Sequence, residues 1–168
     1  ATNANVPQKR ERIIIVAFDE SQVENHSDFK FPEPIPLTKT IHDILEKGKQ
    51  ADNLYYKKNH QYYPELEKTM TSKETIYQWR RVYVRENKSN VCPTLTANMG
   101  AGGHNVPLVL DDYGIRKLTP KECFAFQGYP MDKYLLPNIA NSKLYMQAGN
   151  SVTTTLIERI ENQIIEIL

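Results

Sequence analysis

The 168-residue chain has no run approaching the ~18 consecutive apolar residues of a membrane span, and this argues against a membrane protein. It lacks an excess of either charge. With 21 basic and 20 acidic side chains it is no histone-like polycation, so any contact with nucleic acid must come from local patches. Two cysteines, Cys92 and Cys123, cannot make a disulfide framework and suit a reducing compartment. Nothing reads as a secretory leader, so a cytoplasmic setting is expected. His26, His42, His60 and His104 are scattered, and neither cysteine has a partner at ligand spacing, so no metal site is expected. There is no Gly-x-x-x-x-Gly-Lys-Ser/Thr phosphate loop and no nucleophile elbow. Gly100-Ala-Gly-Gly103 misses the dinucleotide fingerprint because Asn105 stands where the third glycine belongs. Kinase and general hydrolase functions are left without support. With glycine counted and tyrosine left out, the apolar share is about 38%, under the ~45–50% of globular domains, so a thin core is expected.

What is present has a clear order. Residues 12–18, Arg-Ile-Ile-Ile-Val-Ala-Phe, form a β-branched run without polar alternation and predict a strand buried on both faces of a parallel sheet. Three prolines in 29–36 predict an extended linker. Residues 38–48 predict a short helix with Ile41, Ile44 and Leu45 on one face and Gly48 as its stop. One helical turn is expected near 64–70. Strands are predicted at 81–85, 91–97 and 106–110, with a turn at 111–114. Thr119-Pro-Lys-Glu122 is a capping box with proline at the first helical position. Ser142 could open a further short helix through Gln147. A last helix from about Ser151 carries Val152, Leu156, Ile160, Ile164 and Leu168 at four-residue steps.

Three segments offer chemistry. Arg10 and Arg12, at i and i+2 before a strand, would lie on one side and face one site; a solvated rim paired with Glu11 is the plainer alternative. Arg80, Arg81, Arg85 and Lys88 gather beside Tyr83, Thr94, Thr96, Asn98 and a glycine loop, a surface suited to base edges and phosphates, although a hairpin with a mobile tip has the same pattern. Asn150 and Ser151 precede the last helix, where they either cap it or touch a ligand's polar groups. Tyr55, Tyr56, Tyr62 and Tyr63 read as an amphipathic surface patch more readily than as base-stacking platforms.

In this order the segments resemble the C-terminal half of bacterial cytosine-5 DNA methyltransferases. Gln8-Lys-Arg-Glu-Arg12 is similar to the family's Gln-x-Arg-x-Arg block, its eighth. Arg116-Lys-Leu-Thr-Pro-Lys-Glu-Cys-Phe-Ala-Phe-Gln-Gly-Tyr-Pro130 resembles the ninth, and Tyr145-Met-Gln-Ala-Gly-Asn-Ser-Val152 the tenth. Between the eighth and ninth the family places its target-recognition region, whose Thr-Leu pair ahead of a glycine loop appears as Thr94-Leu95. The resemblance implies an α/β chain: the C-terminal part of a Rossmann-like methyltransferase fold that depends on S-adenosylmethionine, plus a small, mainly β recognition domain. Residues 1–34 would be the terminal strand region of the catalytic domain, 35–115 the recognition domain and 116–168 the helical return.

The family's Phe-x-Gly-x-Gly cofactor loop, its Pro-Cys nucleophile block and its Glu-Asn-Val block do not occur among these residues. The resemblance therefore implies a distal half that needs a complementary N-terminal half, in the same chain or as a second subunit, to act on duplex DNA. S-adenosylmethionine would be bound mainly by that other half. In the implied mechanism a cytosine is flipped out of the duplex, a cysteine from the other half adds to C6, C5 takes the methyl group and then loses its proton. Arg12 would lie beside the flipped base and Arg10 would hold the strand edge. Asn150, Ser151 and Val152 would close over the methyl donor. Arg81, Thr94, Thr96, Asn98, Met99, Gly100, Gly102 and Gly103 would read the DNA. Cys123, inside the ninth block, would be structural. The alternative is a DNA-binding module derived from such an enzyme without catalysis; a donor-closing loop and an apolar Ile13–Val16 segment awaiting a neighbour favour the first reading.

Overall fold

The computed structural model describes residues 1–87, 89–101 and 105–168. Two antiparallel hairpins join into one sheet, whose strands lie in the order Tyr83–Glu86, Tyr77–Arg80, Leu108–Asp111 and Gly114–Lys117. β1 (Tyr77–Arg80) and β2 (Tyr83–Glu86) are linked by Arg81-Val82, with Arg81 in the left-handed region at φ 57°. β3 (Leu108–Asp111) and β4 (Gly114–Lys117) flank the turn expected at 111–114. Its conformation is set by the Asp111 carboxylate, which accepts from the Tyr113 and Gly114 amides at 2.8 and 3.0 Å. The hairpins meet at Tyr77 and Leu108.

Alternation along these strands divides the interior in two. Tyr77, Val84, Leu108 and Ile115 face Leu66 and Met70 on and just after α1 (Tyr63–Thr69). Ile76 and Val109 face the other way. They pack with Cys92, Leu95 and Met99 against Cys123 and Phe126, on and after α2 (Pro120–Ala125), and against Tyr145 and Ala148 of α3 (Asn141–Asn150). This second cluster draws on residues from Ile41 to Ala148, so one core runs through most of the chain. Each large side chain buried this way is worth about 1.5–3 kcal/mol. α4 (Thr154–Ile165) closes the chain and buries only Ile160 fully. No helix among the described residues is long and apolar enough to cross a membrane.

The capping box at Thr119 forms as expected. The Thr119 hydroxyl accepts from the Glu122 amide at 3.0 Å, and the Glu122 carboxylate accepts from the Thr119 amide at 2.7 Å. Residues 29–36 contain no helix or strand. Other expectations fail. Residues 12–18 form no strand, and Ile13 and Ile15 are 93% and 85% exposed. β-branched composition favours extension, but a ladder needs neighbours. The N-terminal segment finds only isolated parallel bridges, Ala4 with Ile35 and Gln8 with Cys92. Residues 91–96 are irregular and Ala97 opens a 3₁₀ turn: Pro93 has no N–H to give, and after the bridge at Cys92 no strand lies alongside. The helix predicted at 38–48 shrinks to a 3₁₀ turn at Ile41–Asp43, because Glu46 is drawn off to donate its amide to Glu122 at 2.8 Å. The strand predicted at 81–85 begins at Tyr83, with Arg81 in the turn. β1, and β4 with its two charged residues, were not anticipated in full. α3 is longer than predicted and takes in Asn150, so α4 starts at Thr154 and not near Ser151. The four tyrosines, by contrast, are half-buried, as an amphipathic patch requires. Tyr56, Tyr62 and Tyr63 pack on the α1 core, Tyr62 stacks on Trp79 with centroids 4.3 Å apart, and Tyr55 donates to Asp111.

Two glycines weld the 96–100 segment to α3. A Cβ on Gly149 would collide with the Thr96 and Ala97 backbone, and one on Gly100 with the Ser142 carbonyl. Backbone, unlike a flexible side chain, cannot step aside. Gly149→Ala should therefore lower the unfolding midpoint markedly despite alanine's better helix propensity, a loss of roughly 1–3 kcal/mol by analogy with overpacked cores, read by urea or thermal unfolding.

Candidate functional site

Core packing on one side of the first hairpin leaves its other side free. Tyr77, Trp79 and Val84 go to the α1 core, so their alternates Gln78, Arg80, Tyr83 and Arg85 share the opposite face, paired across the strands as Gln78 with Arg85 and Arg80 with Tyr83. This face is one wall of an open groove of about 740 Å³. The other wall comes from Lys9, Pro93, Thr94, Thr96, Asn98 and Asn105. Among the described residues lining the groove are four cations, Lys9, Arg80, Arg81 and Arg85, and no acidic residue. On a chain of net charge +1 that is a strong local bias.

The structure brings together on this groove Arg81, Thr94, Thr96 and Asn98 from the sequence-based set. Thr94 donates its hydroxyl to the Lys9 carbonyl at 2.5 Å, and Thr96 donates to the Asn98 side chain. Met99 and Gly100 are elsewhere: the 3₁₀ turn Ala97–Gly100 points Met99 into the core and sets Gly100 against α3. Gly102, Gly103 and Lys88 lie outside the described residues. Sequence reasoning omitted Lys9 and Gln78. The alternation Tyr77-Gln-Trp-Arg80 is the signal that would have found Gln78.

Lys9 also lines a second cleft of about 940 Å³, bordered by Arg10, Arg12, Ile13, Asn150, Ser151 and Val152. The two arginines do not face one way, since no strand is there to align them. Arg12 is exposed and donates to the Glu11 carbonyl at 2.6 Å. Arg10 is 7% exposed and turns inward. One of its terminal nitrogens donates to the Leu95 carbonyl at 2.8 Å, and the other to the Gly149 and Ser151 carbonyls at 3.1 and 2.5 Å. Burial, and then the charge of Arg12, pulls its pKa below the ordinary arginine value. One planar cation thus ties three segments distant in sequence. Asn150 is exposed at the C-terminal end of α3, where carbonyls and not amides are on offer. Ser151 follows it, donating its hydroxyl to Ala148 at 2.9 Å, and Val152 is 51% exposed. Neither Asn150 nor Ser151 caps α4; its N-cap residue is Thr153.

A sequence profile described as C-5 cytosine-specific DNA methylase matches residues 1–166. The chain belongs to the C-5 cytosine-specific DNA methylase family. It is 57% identical over 162 residues to the Type II methyltransferase M.Bsp6I of Bacillus sp. (strain RFL6), covering 95% of this chain and 50% of that protein. It is 32% identical to the Type II methyltransferase M.SsoII of Shigella sonnei, covering all of this chain and 43% of that one. The chain spans about half the length of the curated relatives it matches, and corresponds to their C-terminal half. The Dnmt2 methyltransferase of S. pombe shares its fold at a TM-score of 0.54 and 13% identity, over 97% of this chain and 53% of that one. The mixture of helices and antiparallel sheet is thus that of the C-terminal part of a methyltransferase.

Within this methylase chain neither thiol is poised for nucleophilic work. Cys92 and Cys123 are both buried in the core, and burial, with the negative charge of Glu122 adding to it, pushes both thiols well above their ordinary pKa. A thiol reagent such as Ellman's should find no reactive cysteine in the native chain and two after denaturation. Arg10→Met should strand the Leu95, Gly149 and Ser151 carbonyls and lower stability by roughly 2–4 kcal/mol, measured by denaturant unfolding. Arg12→Met should change it by under about 0.5 kcal/mol.

Proposed function

We propose that this chain is the target-recognition and C-terminal portion of a DNA (cytosine-5) methyltransferase, which modifies C5 of a flipped cytosine in duplex DNA when joined to the portion carrying the nucleophile. The observation that carries this reading is the groove whose four cations face threonine, asparagine and tyrosine side chains with no acid among its described lining residues. Cations neutralise phosphates, and hydroxyls and amides meet base edges. The two buried thiols support a nucleophile supplied from the complementary portion.

In this reading residues 35–115 carry recognition, and 1–34 with 116–168 belong to the catalytic side. Arg10, which joins 1–34 to the 149–151 turn and to Leu95, supports that grouping. Arg12, exposed at the rim of the cleft, is free to approach a flipped base and its phosphate. Asn150, Ser151 and Val152 offer an amide, a backbone turn and an apolar side chain on one side of the cleft, a mixed lining that fits one edge of S-adenosylmethionine. The cofactor supplies the methyl group when bound. This chain's part is to hold the 150–152 turn at a fixed distance from the DNA-facing wall, which Arg10 and the Gly149 contact with Thr96 accomplish.

The test is methyl transfer from radiolabelled S-adenosylmethionine to duplex DNA, by the chain alone and by the chain joined to the complementary portion. Activity is expected only for the joined protein; transfer by the chain alone overturns the assignment. Duplex binding by the joined protein should weaken with salt. Lys9→Ala and Arg80→Ala should each reduce the slope of log affinity against log salt by about one.

A further inference from the structure

The four cations of the groove are not alike. Among the described residues the side chains of Lys9, Arg80 and Arg81 make no hydrogen bond to the protein, so their heads are free to follow a negative charge. Arg85 differs. Its Nη2 donates to Oε1 of Gln78, its cross-strand partner, at 3.0 Å. Gln78 is half-buried, and its strand neighbours Tyr77 and Trp79 are packed into the α1 core, so it is a firm anchor for an otherwise exposed guanidinium.

Two consequences follow from the chemistry of this pair. A guanidinium only donates, so the Gln78 amide must turn its oxygen toward Arg85. The amide's orientation is then set by Arg85, and Gln78 is not free to turn as the donor-and-acceptor pair that reads adenine through N6 and N7. Arg85, restrained before contact, keeps its remaining N–H groups as parallel donors. That is the complement of guanine, whose O6 and N7 are two adjacent acceptors on the major-groove edge. Restraint by a neighbouring amide is wasted on a phosphate, which accepts from many directions. It favours a contact whose geometry is narrow.

Resting on the proposed function, we infer that Arg85, held by Gln78, is a specificity-determining residue that selects guanine at one position of the DNA site, whereas Lys9, Arg80 and Arg81 neutralise phosphates. Gln78 is a positioning residue and acts through Arg85.

The experiment uses the joined methyltransferase. Its methylated site is first mapped by bisulfite sequencing, and kcat/KM is then measured on duplexes carrying each single base-pair replacement in that site. Arg85→Ala should reduce discrimination by about ten- to a hundredfold at one G·C pair and leave the other positions as they are. Gln78→Ala should reduce discrimination at the same pair by a smaller factor. Arg80→Ala should lower kcat/KM on every duplex alike. Folding is controlled by the unfolding midpoint, which these exposed or half-exposed substitutions should leave in place. The inference is overturned if Arg85→Ala weakens all duplexes equally, if its effect falls on an A·T pair, or if Gln78→Ala acts at a different position from Arg85→Ala. A wild-type protein that methylates a defined site while Arg85→Ala keeps the same profile defeats this inference alone. A joined protein that neither binds nor methylates DNA defeats the function on which it rests.

Discussion

Arg116 is the most demanding group in the fold, a guanidinium 1% exposed in the middle of the chain's own core. It forms a two-pronged pair with Glu122, each bond 2.8 Å, and donates its Nε to Asp111 at 2.7 Å. Burying an ion pair costs several kcal/mol per charge, and attraction offsets that only where every lone pair has a donor. Here every one does. The two Glu122 oxygens also accept from the Glu46 and Thr119 amides, and Asp111 from Tyr55, Tyr113 and Gly114. Burial alone would pull the Arg116 pKa down, but the bonds to Glu122 and Asp111 outweigh it and hold the cation above its ordinary value. The network therefore sets the angle between the second hairpin and α2, and it recruits residues 46 and 55 as well.

That angle passes on to the site. With α2 fixed, Gln127 just beyond it donates to the Ala148 carbonyl at 2.8 Å, and the Tyr145 hydroxyl donates to the Leu118 carbonyl at 2.6 Å, so α3 is seated on both. α3 in turn accepts the Thr96–Ala97 backbone against Gly149, where a side chain could not fit. Arg10 then binds Leu95 to the end of α3. The polar wall of the groove is thus placed by a series of contacts that begins at a buried salt bridge.

This sequence of contacts explains what the residues disclosed beforehand and what they did not. The Thr119 box was legible because its signal and its partner are three residues apart. The ordered blocks at Gln8–Arg12, Arg116–Pro130 and Tyr145–Val152 disclosed the family because motif order survives without any knowledge of packing. The burial of Arg116 has no signal in the sequence, since arginine is almost never buried unless paired, and its partners are fixed only by the fold. The strand at 12–18 was misread for a related reason: β-branched composition reports a preference for extension, while pairing is decided by neighbours. Asn150 lay at a helix boundary, where one turn more of α3 exchanges an N-terminal environment for a C-terminal one. Half of the groove set was legible because Arg81, Thr94, Thr96 and Asn98 are polar and clustered. Met99 and Gly100, their neighbours in sequence, were lost to a single 3₁₀ turn.

The groove and the second cleft differ in the physics they offer. The groove beside the first hairpin carries cations without acids and is fitted to a polyanion. The cleft beside Arg10 is rimmed by exposed aliphatic side chains, Ile13, Ile15 nearby and Val152, which water solvates poorly. Arg10 sits between them, with Leu95 on the groove side and Ser151 on the cleft side. Under the proposed function the aliphatic rim is where the catalytic portion meets this chain, and one buried guanidinium then sets the distance between the DNA and the turn that closes on the methyl donor. A lysine could not take that place, because its single ammonium has no planar fork with which to hold carbonyls from two segments in one fixed geometry.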